Sequence, residues 1–242
     1  MRALLSFFTA LPVRDIPLET VARRSYLLPL VGLFTGAPGA ALILLGYAMP
    51  SGVVATLALG AVLLAAGLHH TDGVLDAGDA LMVRGAPQRR RAVLKDTRVG
   101  VGGIGALFVV YAPTLAALVA LTEDSPARAA LSLLAGEVSA RSAMLLMLAF
   151  GRPAEKGSSS VPFVRSLEGS RRVAGVSLAL LGPLLCLLPL GGFAPLAVLS
   201  VPLAALLALR VARTVFGGIG GDVVGATGEA TRAVLLVALS AM

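Results

Sequence analysis

Apolar residues run in long blocks along this chain, with polar residues in short clusters between them. No Asp, Glu, Lys or Arg occurs between Arg24 and Asp72, an interval long enough for two membrane helices of about 20 residues each. Pro50-Ser51-Gly52 divides it, which predicts helices near residues 27–49 and 53–68. Residues 99–122 form a third uncharged block, and 129–150 a fourth, interrupted by Glu137 and Arg141. The uncharged stretch between Arg172 and Arg210 breaks at Pro189-Leu190-Gly191-Gly192 and supplies the fifth and sixth. A last helix begins near Asp222, polar in its first turns and apolar from Ala233 to the C-terminus. Ahead of all of them, residues 4–11 read as a short amphipathic segment lying on the membrane. The expected fold is all-α: a polytopic membrane bundle of six to seven transmembrane helices, forming one domain over residues 1–242.

Composition strengthens this reading. The chain is 57% hydrophobic and 14% charged, with 28 glycines and no tryptophan. An average soluble domain is roughly 45–50% apolar and about 25% charged, so a soluble globule, a disordered chain and a disulfide scaffold are all poor fits. The single Cys186 has no partner for an internal disulfide and sits in an apolar run, where packing is its default role. The first apolar stretch is short and is followed by Pro12, Arg14 and Asp15, so no secretory signal is expected.

Net charge is +7, and the placement of the bases argues against nucleic acid as the partner. Arg2, Arg14, Arg23 and Arg24 precede the first span, and Arg84, Arg89, Arg90, Arg91, Lys95 and Arg98 follow the second. Arg152, Lys156, Arg165, Arg171 and Arg172 follow the fourth, and Arg210 and Arg213 follow the sixth. The alternate breaks contain only Arg128. This asymmetry predicts a cytoplasmic N-terminus in the lipid bilayer.

Several polar residues are not explained by lipid. Asp72, Asp76 and Asp79 are spaced i, i+4, i+7, which puts three carboxylates on one helix face. Like charges roughly 6 Å apart repel by about 3 kcal/mol at an effective dielectric of 20. Such a triplet calls for protonation, a basic partner such as Arg89-Arg90-Arg91, or a divalent cation. Oxygen ligands without cysteine favour Mg²⁺ or Mn²⁺ over zinc. Gly73, between the first two acids, leaves room for a second helix or a phosphate. His69 and His70 precede the triplet, with His70 the stronger candidate for a substrate contact.

Three more stretches combine charge with glycine or bury charge. Lys95-Asp96-Thr97-Arg98 leads into Val99-Gly100-Val101-Gly102-Gly103, a helix start whose amides, with Lys95 and Arg98, suit a phosphate. Glu137 and Arg141 lie four apart inside an apolar block. They should face the bundle interior and each other, as an ion pair or as substrate ligands. Asp222 follows Gly217-Gly218-Ile219-Gly220-Gly221 and shares a helix face with Glu229; it either caps the last helix or adds a metal ligand.

Taken together, these segments resemble the cobalamin synthase family, the adenosylcobinamide-GDP ribazoletransferases. The matching pieces are Phe7-Phe8-Thr9-Ala10-Leu11-Pro12-Val13, Leu28-Pro29-Leu30-Val31-Gly32, His70 to Asp79, Lys95 to Gly100, Arg141, Arg152-Pro153 and Gly217 to Thr227. They occur in the family's order over essentially the whole chain. Ala77, Gly78 and Gly220 depart from the usual pattern, and none of these removes a carboxylate.

The resemblance implies a Mg²⁺-dependent membrane enzyme. It would join adenosylcobinamide-GDP to α-ribazole, or to α-ribazole 5′-phosphate, and release GMP. It implies catalytic roles for Asp72, Asp76 and Asp79, metal ligation by these with Asp96 and Asp222, and substrate contacts from His70, Gly73, Lys95, Arg98, Arg141 and Thr227. A homo-oligomer is compatible with it. Two other readings stay open at this point. One is a lipid synthase of the CDP-alcohol phosphatidyltransferase type, whose acid pattern is longer. The other is a transporter, which would place its polar site near the bilayer midplane in repeated halves.

Overall fold

The computed structural model describes residues 1–11 and 16–242. Arg14, Asp15 and the Pro12-Val13 end of the first matching segment lie outside the described residues. The short helices α1 (Arg2–Phe8) and α2 (Leu18–Arg23) lead into α3 (Leu28–Ile43). Then come α4 (Ser51–Ala65), α5 (His69–Met82), α6 (Pro87–Val93), α7 (Val101–Asp124) and α8 (Pro126–Phe150). The chain closes with α9 (Ser160–Ser166), α10 (Gly169–Leu187), α11 (Ser200–Val211) and α12 (Gly221–Ser240). Six helical segments are long and apolar enough to cross a membrane: Ser25–Tyr47, Val101–Asp124, Pro126–Phe150, Gly169–Leu190, Ala194–Phe216 and Gly221–Ser240.

The second expected helix, residues 53–68, is found as α4, and the sharp turn that follows it is what the pattern did not show. Helix α4 stops at Ala65, and the chain turns through Gly67 (φ +75°) and Leu68 (φ +62°) into α5 at 93° to α4. Leu68 is the one non-glycine residue with positive φ among the described residues, a conformation that costs an L-residue roughly 1–2 kcal/mol. The amide of Ala10 ties to the carbonyl of Ala65 at 2.9 Å and holds the turn against the N-terminal segment. Helix α5, which carries the acids, is therefore a separate short helix outside the six spans.

Helix α8 is the central post, buried along nearly its whole length with α3, α10, α11, α12 and α7 packed around it. Small residues set the close contacts: a Cβ on Gly32 of α3 would lie 2.5 Å from the carbonyl oxygen of Glu137, so the two backbones touch as membrane helices commonly do. The outer surface bears exposed Ile104, Phe108, Leu185, Leu203, Leu206 and Val234, an apolar belt that matches hydrocarbon. Helix α1 does more than lie on a surface, since Leu4 and Phe8 are buried in the main core.

Candidate active site

Helix α5 presents Asp72 and Asp76 one turn apart. The N-terminus of α12 crosses it at Gly73, where a Cβ would stand 2.6 Å from the carbonyl oxygen of Asp222. The open face of Gly73 is thus filled by a second helix, and that crossing brings the Asp222 carboxylate to the pair. Asp76 lies in the field of Asp72, Asp222 and Asp79, and Asp222 in that of Asp72. Among the described residues, no Lys or Arg forms an ion pair with any of these four.

Asp79 has a different task. Its carboxylate accepts from the amides of Gly100 at 2.7 Å and Gly103 at 2.8 Å, capping α7 where the helix leaves its first amides unpaired. The glycine-rich start that suited a phosphate is therefore occupied by the protein's own carboxylate. Asp96 stands apart from the cluster, held by both the backbone and the guanidinium of Arg98. Those bonds keep its carboxyl well down, at about 2.

Beside Asp222 lies a polar hollow of about 200 Å³, bounded by Arg91, Lys95, Glu155, Ser158 and the 217–221 loop. Lys95 and Arg91 each donate to Glu155 at 2.8 Å, and these bonds hold its carboxyl below the usual range. Arg91 also donates to the carbonyl of Phe216 at 2.7 Å. The loop is fixed by bridging to the chain after α8: Ile219 N bonds Arg152 O at 2.8 Å, and Ala154 N bonds Ile219 O at 3.0 Å. Gly218 (φ +155°) is required there, because a Cβ would meet Arg152 O at 2.5 Å.

Below the carboxylates a buried polar chain runs through the bundle. Glu137 receives Thr35, Arg141 at 3.2 Å and Arg232 at 2.8 Å. Arg232 also pairs with Glu229, which accepts from the Tyr111 hydroxyl at 2.9 Å. Tyr111 reaches Thr71 at 2.9 Å, next to Asp72. His70 is buried with Nδ1 at 3.9 Å from Glu229.

Of the sequence candidates, Asp72, Asp76, Asp222, Gly73 and His70 gather around one place, and Lys95 borders the adjoining hollow. Arg141 is fully buried with Glu137, the Thr227 hydroxyl bonds the Val223 carbonyl at 2.7 Å, and Arg98 is exposed with Asp96. The sequence pattern does not mark Tyr111, Glu155 or Arg232 for the site, and it marks Glu229 only by the helix face shared with Asp222. The i, i+3 spacing of Glu229 and Arg232 was the available signal for that pair.

The cluster offers carboxylate oxygens only, donors that suit a hard divalent cation. Among the described residues no three carboxylate, imidazole or thiol groups converge closely enough to hold an ion alone. Mg²⁺ is commonly held by one or two carboxylates with substrate phosphates completing its shell, and the cluster fits that mode.

The chain matches the family model described as cobalamin-5-phosphate synthase over residues 1–240. Among curated relatives, the protein of Pyrobaculum calidifontis is 37% identical, covering 98% of this chain and 97% of its own. That of Methanocella arvoryzae is 31% identical over 100% and 95%, and that of Methanococcoides burtonii 31% over 99% and 91%. All three are named adenosylcobinamide-GDP ribazoletransferase. No solved structure matches the chain. Likeness that extends from the first helix through the acidic cluster to the last span has one reading: the chain belongs to the cobalamin-5-phosphate synthase family.

Proposed function

We propose that this protein joins adenosylcobinamide-GDP to α-ribazole, or to its 5′-phosphate, with release of GMP and dependence on Mg²⁺. The observation that carries the proposal is that α12 crosses α5 at Gly73, which sets Asp72, Asp76 and Asp222 in one another's field, without ion-pair partners among the described residues, beside a hollow bordered by Arg91 and Lys95. Family membership and the names of the relatives support the substrates. The bases of the α5–α7 connection and of the 152–172 stretch support a site facing the cytoplasm from the cell membrane.

In this reading the diphosphate of the activated corrinoid lies in the polar hollow. Lys95 and Arg91 exchange Glu155 for phosphate oxygens, a charge-assisted contact of the same kind. The glycine loop lets the phosphates approach the backbone closely. A carboxylate of the cluster, Asp72 or Asp76, accepts the proton of the attacking ribose hydroxyl. The hydroxyl oxygen bonds to the phosphorus that carries the corrinoid, and the bond from that phosphorus to the bridging oxygen breaks, leaving with GMP. One or two carboxylates of the Asp72, Asp76 and Asp222 cluster, with substrate phosphates completing the shell, would hold Mg²⁺, which when bound supplies positive charge against the phosphoryl oxygens. Asp79 holds the start of α7 in place and keeps α5 oriented.

Purified protein in lipid nanodiscs, given adenosylcobinamide-GDP and α-ribazole, should form complete corrinoid and GMP with Mg²⁺ and neither product with EDTA. A CDP-alcohol donor run in parallel should yield no CMP. Release of CMP without GMP would overturn the assignment.

A further inference from the structure

A second cavity, of about 450 Å³, opens on the other side of Asp222. One wall is aromatic. Phe7 and Phe8 meet edge to face with centroids 4.9 Å apart, and Phe163 of α9 lies 5.6 Å from Phe7 and 6.0 Å from Phe8. Met144 of α8 and the buried imidazole of His70 add to the lining. Phe7 is 42% exposed although Leu4 and Phe8 of the same helix are buried, so its ring is left partly uncovered beside the opening. The His70 Nδ1 has no hydrogen-bond partner. This cavity and the polar hollow share Ser159, Gly221 and Asp222, so a group held in one meets a group held in the other at Asp222.

We infer that this aromatic cavity is the acceptor subsite, taking the flat heteroaromatic base of the nucleoside whose ribose hydroxyl is joined to the phosphoryl group. The inference rests on the transferase reading above and deepens it. Three phenyl rings and a thioether cover the faces of a flat ring, and the polar groups of the lining, Ser6, His69, His70, Ser159, Ser160 and Asp222, stand around them for its edge and for the attached ribose. A benzimidazole-type base has no exocyclic polar group and one free ring nitrogen, so rings and a thioether suffice for nearly all of its surface. The charged hollow is left for the diphosphate. The Phe7-Phe8 pair of the N-terminal segment thereby acts in substrate recognition as well as in packing.

The chain lacks tryptophan, so a Phe7→Trp variant places a single indole at the cavity. With its thermal unfolding unchanged from wild type, α-ribazole should quench the indole and GDP should not. Quenching by GDP, or by neither compound, would overturn the inference. In turnover, Phe7→Ala should raise KM for α-ribazole roughly tenfold, the order expected for one lost base–ring contact. KM for adenosylcobinamide-GDP should stay unchanged, and Phe7→Tyr should restore acceptor binding. A shift confined to the donor KM would place the donor here and refute the assignment. The two readings fail separately: quenching without turnover leaves the base subsite and removes the transferase, while turnover without α-ribazole quenching does the reverse.

Discussion

Asp76 and Asp79 lie three residues apart on α5, yet the first faces other carboxylates and the second two backbone amides. Replacement should separate the roles. Asp79→Ala removes a helix cap and should lower stability by about 1 kcal/mol, read as a fall in melting temperature in detergent. Asp76→Asn should leave melting and membrane insertion unchanged while turnover falls about a hundredfold or more. The i, i+4, i+7 spacing made the acidic face legible from sequence. It could not show that Gly100 and Gly103 stand opposite one member, because that depends on how α7 folds back across α5. Glu155 was invisible for a similar reason, since its partners Arg91 and Lys95 lie about 60 residues away along the chain. Its carboxyl is held below the ordinary 4.5 by these two cations. The contact should therefore stabilise fully above about pH 4.5 and be lost as pH falls through the lowered value. Glu155→Gln should flatten that acid limb of thermal unfolding as pH falls below about 4.5.

At the scale of elements, the charge-free blocks located the spans well, because lipid requires long uninterrupted apolar helices. They concealed the break between α4 and α5. Leu68 is an ordinary helix former, and only its position after Gly67 at a sharp turn gives it positive φ. Blocks also say nothing of which helices touch. The α5–α12 crossing at Gly73 is a clear case, and it yields a sharp test. Gly73→Ala drives a methyl into the Asp222 backbone, an overpacking that should cost about 1–3 kcal/mol and move Asp222 away from Asp72 and Asp76. Turnover should drop far more than the melting temperature. Gly60→Ala, where nothing lies within 4 Å of the added carbon inside α4, is the matched control: turnover should be unchanged and the melting temperature should hold or rise slightly, since Ala favours a helix interior over Gly.

Across the whole molecule, Glu137, Arg141, Glu229 and Arg232 form a fully buried group with equal numbers of positive and negative charges. The Glu137–Arg141 spacing made one half of it legible, and the link to α12 was not, since it depends on tertiary contact. Arg232→Met leaves Glu229 and part of Glu137 without their cation, and should destabilise the bundle by about 3–5 kcal/mol, measured by unfolding in mixed micelles. The double change Arg232→Met with Glu229→Gln should recover part of that loss.

The same quartet bears on how the chain is made. Glu137 pairs with Arg141 within α8, and Glu229 with Arg232 within α12, so each helix carries its own counter-ion. A nascent helix leaving the translocon can thus enter the bilayer with the charges of its middle turns already paired, long before its distant partner has been synthesised. Only when α12 arrives does Arg232 reach across to Glu137. Assembly of this bundle does not oblige any unfinished intermediate to hold a bare charge in oil.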